Sequence, residues 1–173
     1  MQKSKNKIPV SSNIARNQSY LEDRLGVGVS FDVGFREIII LKKKVQLYYV
    51  TGLCDASIIQ ELLKKIVEIN DFESNSRKLG EIIENRLVHQ QVDPLDTMDE
   101  VVDQLLSGLV IVFIDGEKRA LVVDVRSYPG RTPQEPDTEK VIRGSRDGYT
   151  ENIIENTALT RRRIRDERLR HEM

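Results

Sequence analysis

The chain reads as an α/β protein of the α+β kind. A small mixed sheet, built from two β-hairpins flanking three helices, is followed by an extended linker and a long C-terminal helix. Three observations predict this. β-branched and aromatic runs come in two pairs, residues 36–41 with 45–50 and residues 109–114 with 119–125. Three stretches with helical spacing of apolar residues lie between the pairs. After Val125 the apolar periodicity stops and prolines accumulate. Two hairpins can merge into a four-stranded sheet with helices on one face.

Residues 1–12 are polar and basic, with Lys3, Lys5 and Lys7, and are expected to form a flexible arm. Ile14, Leu21 and Leu25 fall on one side of a short helix that stops at Gly26. The three glycines of residues 26–34 predict an irregular loop against the core. No clear strand precedes them, so they do not form a phosphate loop. The first hairpin turns at Lys42-Lys43-Lys44. Asp55 caps a helix running to about Asn70, with Ile58, Ile59, Leu62, Leu63, Ile66 and Ile69 on one face. A second helix is expected over residues 76–88. A third opens on Thr97 with Glu100 three residues later, a capping box, and ends at Gly108. Asp115-Gly116 turns the second hairpin.

The α/β unit is thus residues 13–125, the linker 126–149 and the final helix 150–173. Ile153, Ile154, Ala158, Ile164 and Leu169 share a broad face of that helix with Arg161, Arg165 and Arg168. Arginine within an apolar face points to a protein contact, because a buried guanidinium needs a partner. The helical pattern still runs at Met173, and the expectation is a piece of a longer protein.

Composition narrows the function classes. The formal net charge of -1 and the absence of aromatic residues after Tyr149 argue against nucleic-acid binding. The longest purely apolar run, residues 109–114, is far short of the roughly twenty residues of a membrane span. One cysteine excludes an internal disulfide, and a reducing compartment is the simpler reading. With one cysteine and two distant histidines, His89 and His171, no metal site is expected. Cys54 sits at a helix entry without a nearby base and reads as a small buried residue. Asp115, Glu117, Lys118 and Asp124 suggest a metal-dependent nuclease, but a turn and a solvated strand account for them more simply. No catalytic residue, cofactor or enzymatic activity is expected.

The linker and final helix carry the most specific pattern. Glu135, Pro136, Thr138, Glu139, Lys140, Arg143, Gly144 and Gly148 are followed by Glu151, Asn156, Ala158, Leu159, Arg161, Arg162 and Arg163. This arrangement resembles the signature of the GerA family of spore-germination receptor A subunits. Tyr149 stands where that family has phenylalanine. Residues 30–34, 45–55, 89–92 and 124–131 narrow the resemblance to the stage V sporulation AF branch, and the resemblance covers most of the chain beyond the arm.

The resemblance implies a non-enzymatic regulatory and assembly domain, facing the cytoplasm or spore core, of a protein in the inner membrane of bacterial endospores. It implies an oligomeric ion channel, self-association and companion membrane subunits. A second subdomain and membrane helices would lie outside this chain. The signature residues would then serve interaction, with the helix resting on a neighbouring domain or protomer. The alternative is a small-molecule sensing domain binding a weak ligand near Arg126, Tyr128, Arg131 and Arg143.

Overall fold

The computed structural model describes residues 7–71, 79–87, 91–127 and 149–172. In chain order the elements are α1 (Ile14–Leu25), β1 (Val33–Ile40), β2 (Lys43–Val50), α2 (Ala56–Val67) with a 3-10 turn (Glu68–Asp71), and α3 (Leu79–Arg86). They continue with β3 (Val92–Leu95), α4 (Met98–Leu106), β4 (Val110–Ile114), β5 (Ala120–Val123) and α5 (Ile153–Ile164). The strands form one sheet in the order β1-β2-β4-β5-β3, and every neighbouring pair is antiparallel.

The α+β class and both expected hairpins are present, with three differences in the sheet. Among the described residues it has five strands, because β3 adds to the edge beside β5. Pro94 hides this strand in the sequence. An edge strand tolerates proline because one of its sides needs no ladder donor. The helices cover both faces. All five residues of β4 are buried, and a continuous apolar run of that kind marks a strand covered on both sides. Tyr48, Val50, Ile111, Phe113 and Val122 pack with α1 and α4. Leu47, Val110, Val112, Leu121 and Val123 pack with α2 and α3. Finally, the first hairpin turns at Leu41-Lys42, both at positive φ (47° and 65°), because Ile40 pairs with Lys43. Asn70 braces the turn, accepting from the Leu41 amide (2.8 Å) and donating to the Ile39 carbonyl.

The expected caps Asp55 and Thr97 are present, and Asn13 and Asn152 cap α1 and α5. Asn13, Asp55, Thr97 and Asn152 each accept an amide from the first turn of their helix. Residues 7–12 depart from the loose-arm expectation, while residues 1–6 of that arm lie outside the described residues. Val10 is buried and its amide donates to the Asp96 carbonyl (2.9 Å). The Met98 amide donates to the Ile8 carbonyl (2.8 Å). Buried Asn17 engages both the amide and the carbonyl of Ser11 (2.9 and 2.8 Å). Alternating Ile8 and Val10 are too short a pattern to distinguish such a strap from a polar arm.

Helix α5 also differs from expectation. It begins at Ile153 and stops at Ile164, with Arg165 in the left-handed region (φ 47°). The chain then folds back along the loop between α1 and β1. It does not continue as a helix to its end.

Candidate functional site: a buried arginine clasp

The clasp begins at the end of α1. Gly26 adopts the left-handed conformation that terminates the helix and donates its amide to the Glu22 carbonyl. The amides of Val29 and Ser30 both return to the Gly26 carbonyl (2.9 and 2.7 Å). This tight turn directs Ser30 and Asp32 inward, and both side chains are buried. The Asp32 carbonyl accepts from the Thr51 amide (2.7 Å), which ties the loop to the end of β2.

From α5, Arg161 enters this loop with no exposed surface. Its Nε donates to Asp32 Oδ2 (2.8 Å) and its Nη2 to Asp32 Oδ1 (2.9 Å), a bidentate pair. Nη2 also reaches Ser30 Oγ (3.2 Å), and Nη1 reaches the carbonyls of Leu169 (3.1 Å) and Asp166 (3.5 Å). Ser30 Oγ donates to Asp32 Oδ1 (2.6 Å) and accepts from the His171 amide (2.9 Å). Burial pushes the Asp32 carboxyl up. The hydrogen bonds from Arg161 and Ser30, with the Arg161 charge, outweigh it and hold the group below the usual carboxylate range.

The segment after α5 closes the clasp. The Phe31 amide donates to the His171 carbonyl (3.0 Å). His171 Nδ1 lies 3.0 Å from Asp32 Oδ2. Arg170 Nη2 donates to the carbonyls of Arg24 (3.0 Å) and Asp23 (3.3 Å), and its side chain covers Gly26. Helices leave their last carbonyls without internal partners, so Arg170 caps α1 in trans along the chain. Arg24 pairs with Glu167 (2.9 Å). On the helix itself, Ala158 is buried against the Gly52 turn. A Cβ at Gly52 would stand 2.8 Å from the Ala158 Cβ.

The sequence-predicted residues fare differently. Arg161 finds its partner inside its own α/β unit, which corrects the expectation that this arginine faces a neighbouring domain. Arg162 and Arg163 are exposed, as are Ile153 and Ile164. Ile154 and Leu169 are half-buried. Asn156 Oδ1 accepts from the Thr150 amide (2.9 Å) and thereby closes the turn leading into α5. Glu135, Pro136, Thr138, Glu139, Lys140, Arg143, Gly144 and Gly148 lie outside the described residues, as do Tyr128, Arg131 and His89. Arg126 borders a cleft of about 250 Å³ with Gln91, Asp93, Gln104 and Asp124. Its Nε is bound to Asp124 Oδ1 (2.9 Å).

The acids considered for a nuclease do not converge. Asp115 accepts from the Ile14 amide and Glu117 from the Gly80 amide, at one end of β5. Asp124 pairs with Arg126 at the other end. Among the described residues, no group of three or more His, Cys, Asp or Glu could hold a metal ion. Burial pushes the Cys54 thiol up to about 11, and its Sγ donates to the Gly108 carbonyl (3.1 Å). What the Asp32–Arg161 arrangement can do is hold a helix at a fixed orientation. Sequence reasoning missed Ser30, Asp32, Arg170 and His171. The one available signal was the arginine on an apolar face, which requires a carboxylate partner without naming it.

Comparison with known proteins places this architecture. The chain is 54% identical over 167 residues to stage V sporulation protein AF of Bacillus subtilis (strain 168), covering 96% of this chain and 34% of the relative. It is 30% identical over 165 residues to spore germination protein KA of the same organism, covering 94% of this chain and 30% of that protein. The chain therefore spans about a third of the length of these curated relatives. Its fold matches the crystal structure of the N-terminal domain of the A subunit of the Bacillus megaterium spore germinant receptor GerK3. That match has a TM-score of 0.70 at 21% identity and covers 94% of this chain and 59% of that one. Among the described residues, no helix is long and apolar enough to cross a membrane. The model of the Bacillus/Clostridium GerA spore germination proteins matches residues 19–173, and the chain belongs to the GerA family.

Proposed function

We propose that this chain is a regulatory and assembly domain of a spore-germination membrane protein, and that α5 with its clasp is the element that holds its geometry. The full-length protein would sit in the inner membrane of endospores, with this domain on the cytoplasmic side. It would contribute to an oligomeric ion channel alongside companion subunits. The observation behind this reading is the docking of α5. One face is fixed to the α/β unit by Arg161 and Ala158, while Ile153 and Ile164 remain exposed on the same helix. A helix anchored on one side and apolar on another can transmit orientation to whatever contacts it.

The test uses full-length protein in spores. Arg161→Met, which releases the clasp, is compared with the double substitution Arg162→Ala/Arg163→Ala, which leaves Asp32 paired. Co-purification with partner membrane subunits and germination rate are measured together. Loss of both with Arg161→Met is the expected result. Assembly and germination unchanged in every variant would overturn the proposal.

A further inference from the structure

A groove of about 380 Å³ lies between the N-terminal strap, α1 and the start of α4. It is lined by Ile8, Pro9, Val10, Arg16, Tyr20 and Met98, with Ser11 and Asn17 at one end. We propose that it binds a small amphipathic anion, a monocarboxylate with an apolar body. Its size falls within the range of small-molecule sites, about 300–1,000 Å³.

The chemistry of the wall selects the ligand class. The floor is apolar, with Val10 and Met98 almost fully buried, and Ile8 forms an apolar rim at 46% exposure. No acidic residue lines the groove. Both polar ends of the Asn17 side chain are consumed by the Ser11 main chain. Lys7 outside the rim is paired with Glu100 (3.2 Å). Among the described residues no carboxylate pairs with Arg16, whose guanidinium is exposed. Tyr20 Oη accepts from Arg24 Nε (3.4 Å), and Arg24 lies over the ring at 5.7 Å. That arrangement leaves the phenolic proton free to donate.

The side-chain capacity left over is therefore cationic and donating, from Arg16 and Tyr20 one helical turn apart on α1. Arg16 and Tyr20 would hold the carboxylate while Ile8, Val10 and Met98 cover the hydrocarbon. The strap forms one wall, so binding would order it further.

Hexanoate is the probe, with hexanol and hexylammonium as controls of equal length. Amide shifts of the full chain are followed by two-dimensional NMR. Hexanoate should shift the amides of Ile8, Val10, Arg16, Tyr20 and Met98, with a dissociation constant on the order of 1 mM. Arg16→Gln should weaken it about tenfold and Tyr20→Phe less, since the guanidinium brings a charge and paired donors to the carboxylate and the phenol one neutral donor. Overturning results are no shift at these amides with hexanoate, equal shifts with hexanol, or unchanged affinity in Arg16→Gln. The α1 and strap amides of unliganded Arg16→Gln serve as the folding check. This proposal does not depend on the clasp, and its failure leaves the role of α5 untouched.

Discussion

Replacing Arg161 with Met removes one member of a buried ion pair and leaves the other in place. Asp32 has no exposed surface and accepts two bonds from that guanidinium, at 2.8 and 2.9 Å. Stranding a buried charge in this way costs about 3–5 kcal/mol, a large part of the 5–15 kcal/mol typical of a domain. Removing both charges, in Asp32→Asn/Arg161→Met, should recover part of the loss, with a coupling of about 2 kcal/mol or more. Urea unfolding followed by circular dichroism measures the two single variants, Arg161→Met and Asp32→Asn, and the double variant against the wild type. The pH dependence carries a sign that separates this account from simple loss of packing. In the wild type the Asp32 carboxyl titrates below its unfolded value. Its contribution is full above about pH 4 and is lost as pH falls through the folded value. Without Arg161, only the Ser30 hydroxyl and the neighbouring His171 still oppose burial, the largest single influence on the carboxyl, which should then rise. Stability is then present below the unfolded value and lost as pH rises. The deficit of Arg161→Met should be largest near neutrality and shrink as pH falls towards about 4. A deficit below about 1 kcal/mol, or one that does not change with pH, would refute the reasoning.

Two further outcomes are expected. Gly52 has φ 84°, and a Cβ there would stand 2.8 Å from the Ala158 Cβ and 3.1 Å from the Ile154 carbonyl oxygen. Gly52→Ala should cost about 2 kcal/mol from the left-handed conformation and the clash, and hydrogen exchange should rise first in α5. The Cys54 thiol, pushed up to about 11 by burial, should react with iodoacetamide at pH 8 roughly two orders of magnitude more slowly than an exposed cysteine. Mass spectrometry of the alkylated chain reads this, and reaction at the rate of a free thiol would contradict the buried position.

Local signals were legible wherever the physics is local. Thr97 with Glu100, Asp55 and Gly26 set helix ends through backbone groups a few residues away, and the structure has those ends where the residues predict them. The apolar spacing of α2 and α4 defined their buried faces for the same reason. What escaped depends on partners distant in the chain. Whether β4 is covered on one face or two depends on where α1 and α2 return, and Pro94 argues against a strand until β3 is known to be an edge. The clasp is the extreme case. Asp32 and Arg161 are separated by 129 positions, and neither is unusual within its own segment.

That separation also explains why Arg161 pointed to an external contact. An arginine on an apolar helix face must be satisfied, and a sequence cannot say by which chain. The geometry answers with a closed set. Asp32 takes Nε and Nη2, Ser30 shares Nη2, and the Leu169 carbonyl takes Nη1. The carbonyl on Nη1 comes from the segment after α5, so the helix and that segment reinforce one another. Arg170 extends the link to the last carbonyls of α1. Undocking α5 would therefore expose a guanidinium, a carboxylate and a helix end together. Partial release is disfavoured, because each remaining member would be left buried without its partner. The clasp should open as a unit or stay shut, which is the behaviour required of an element that holds one defined orientation.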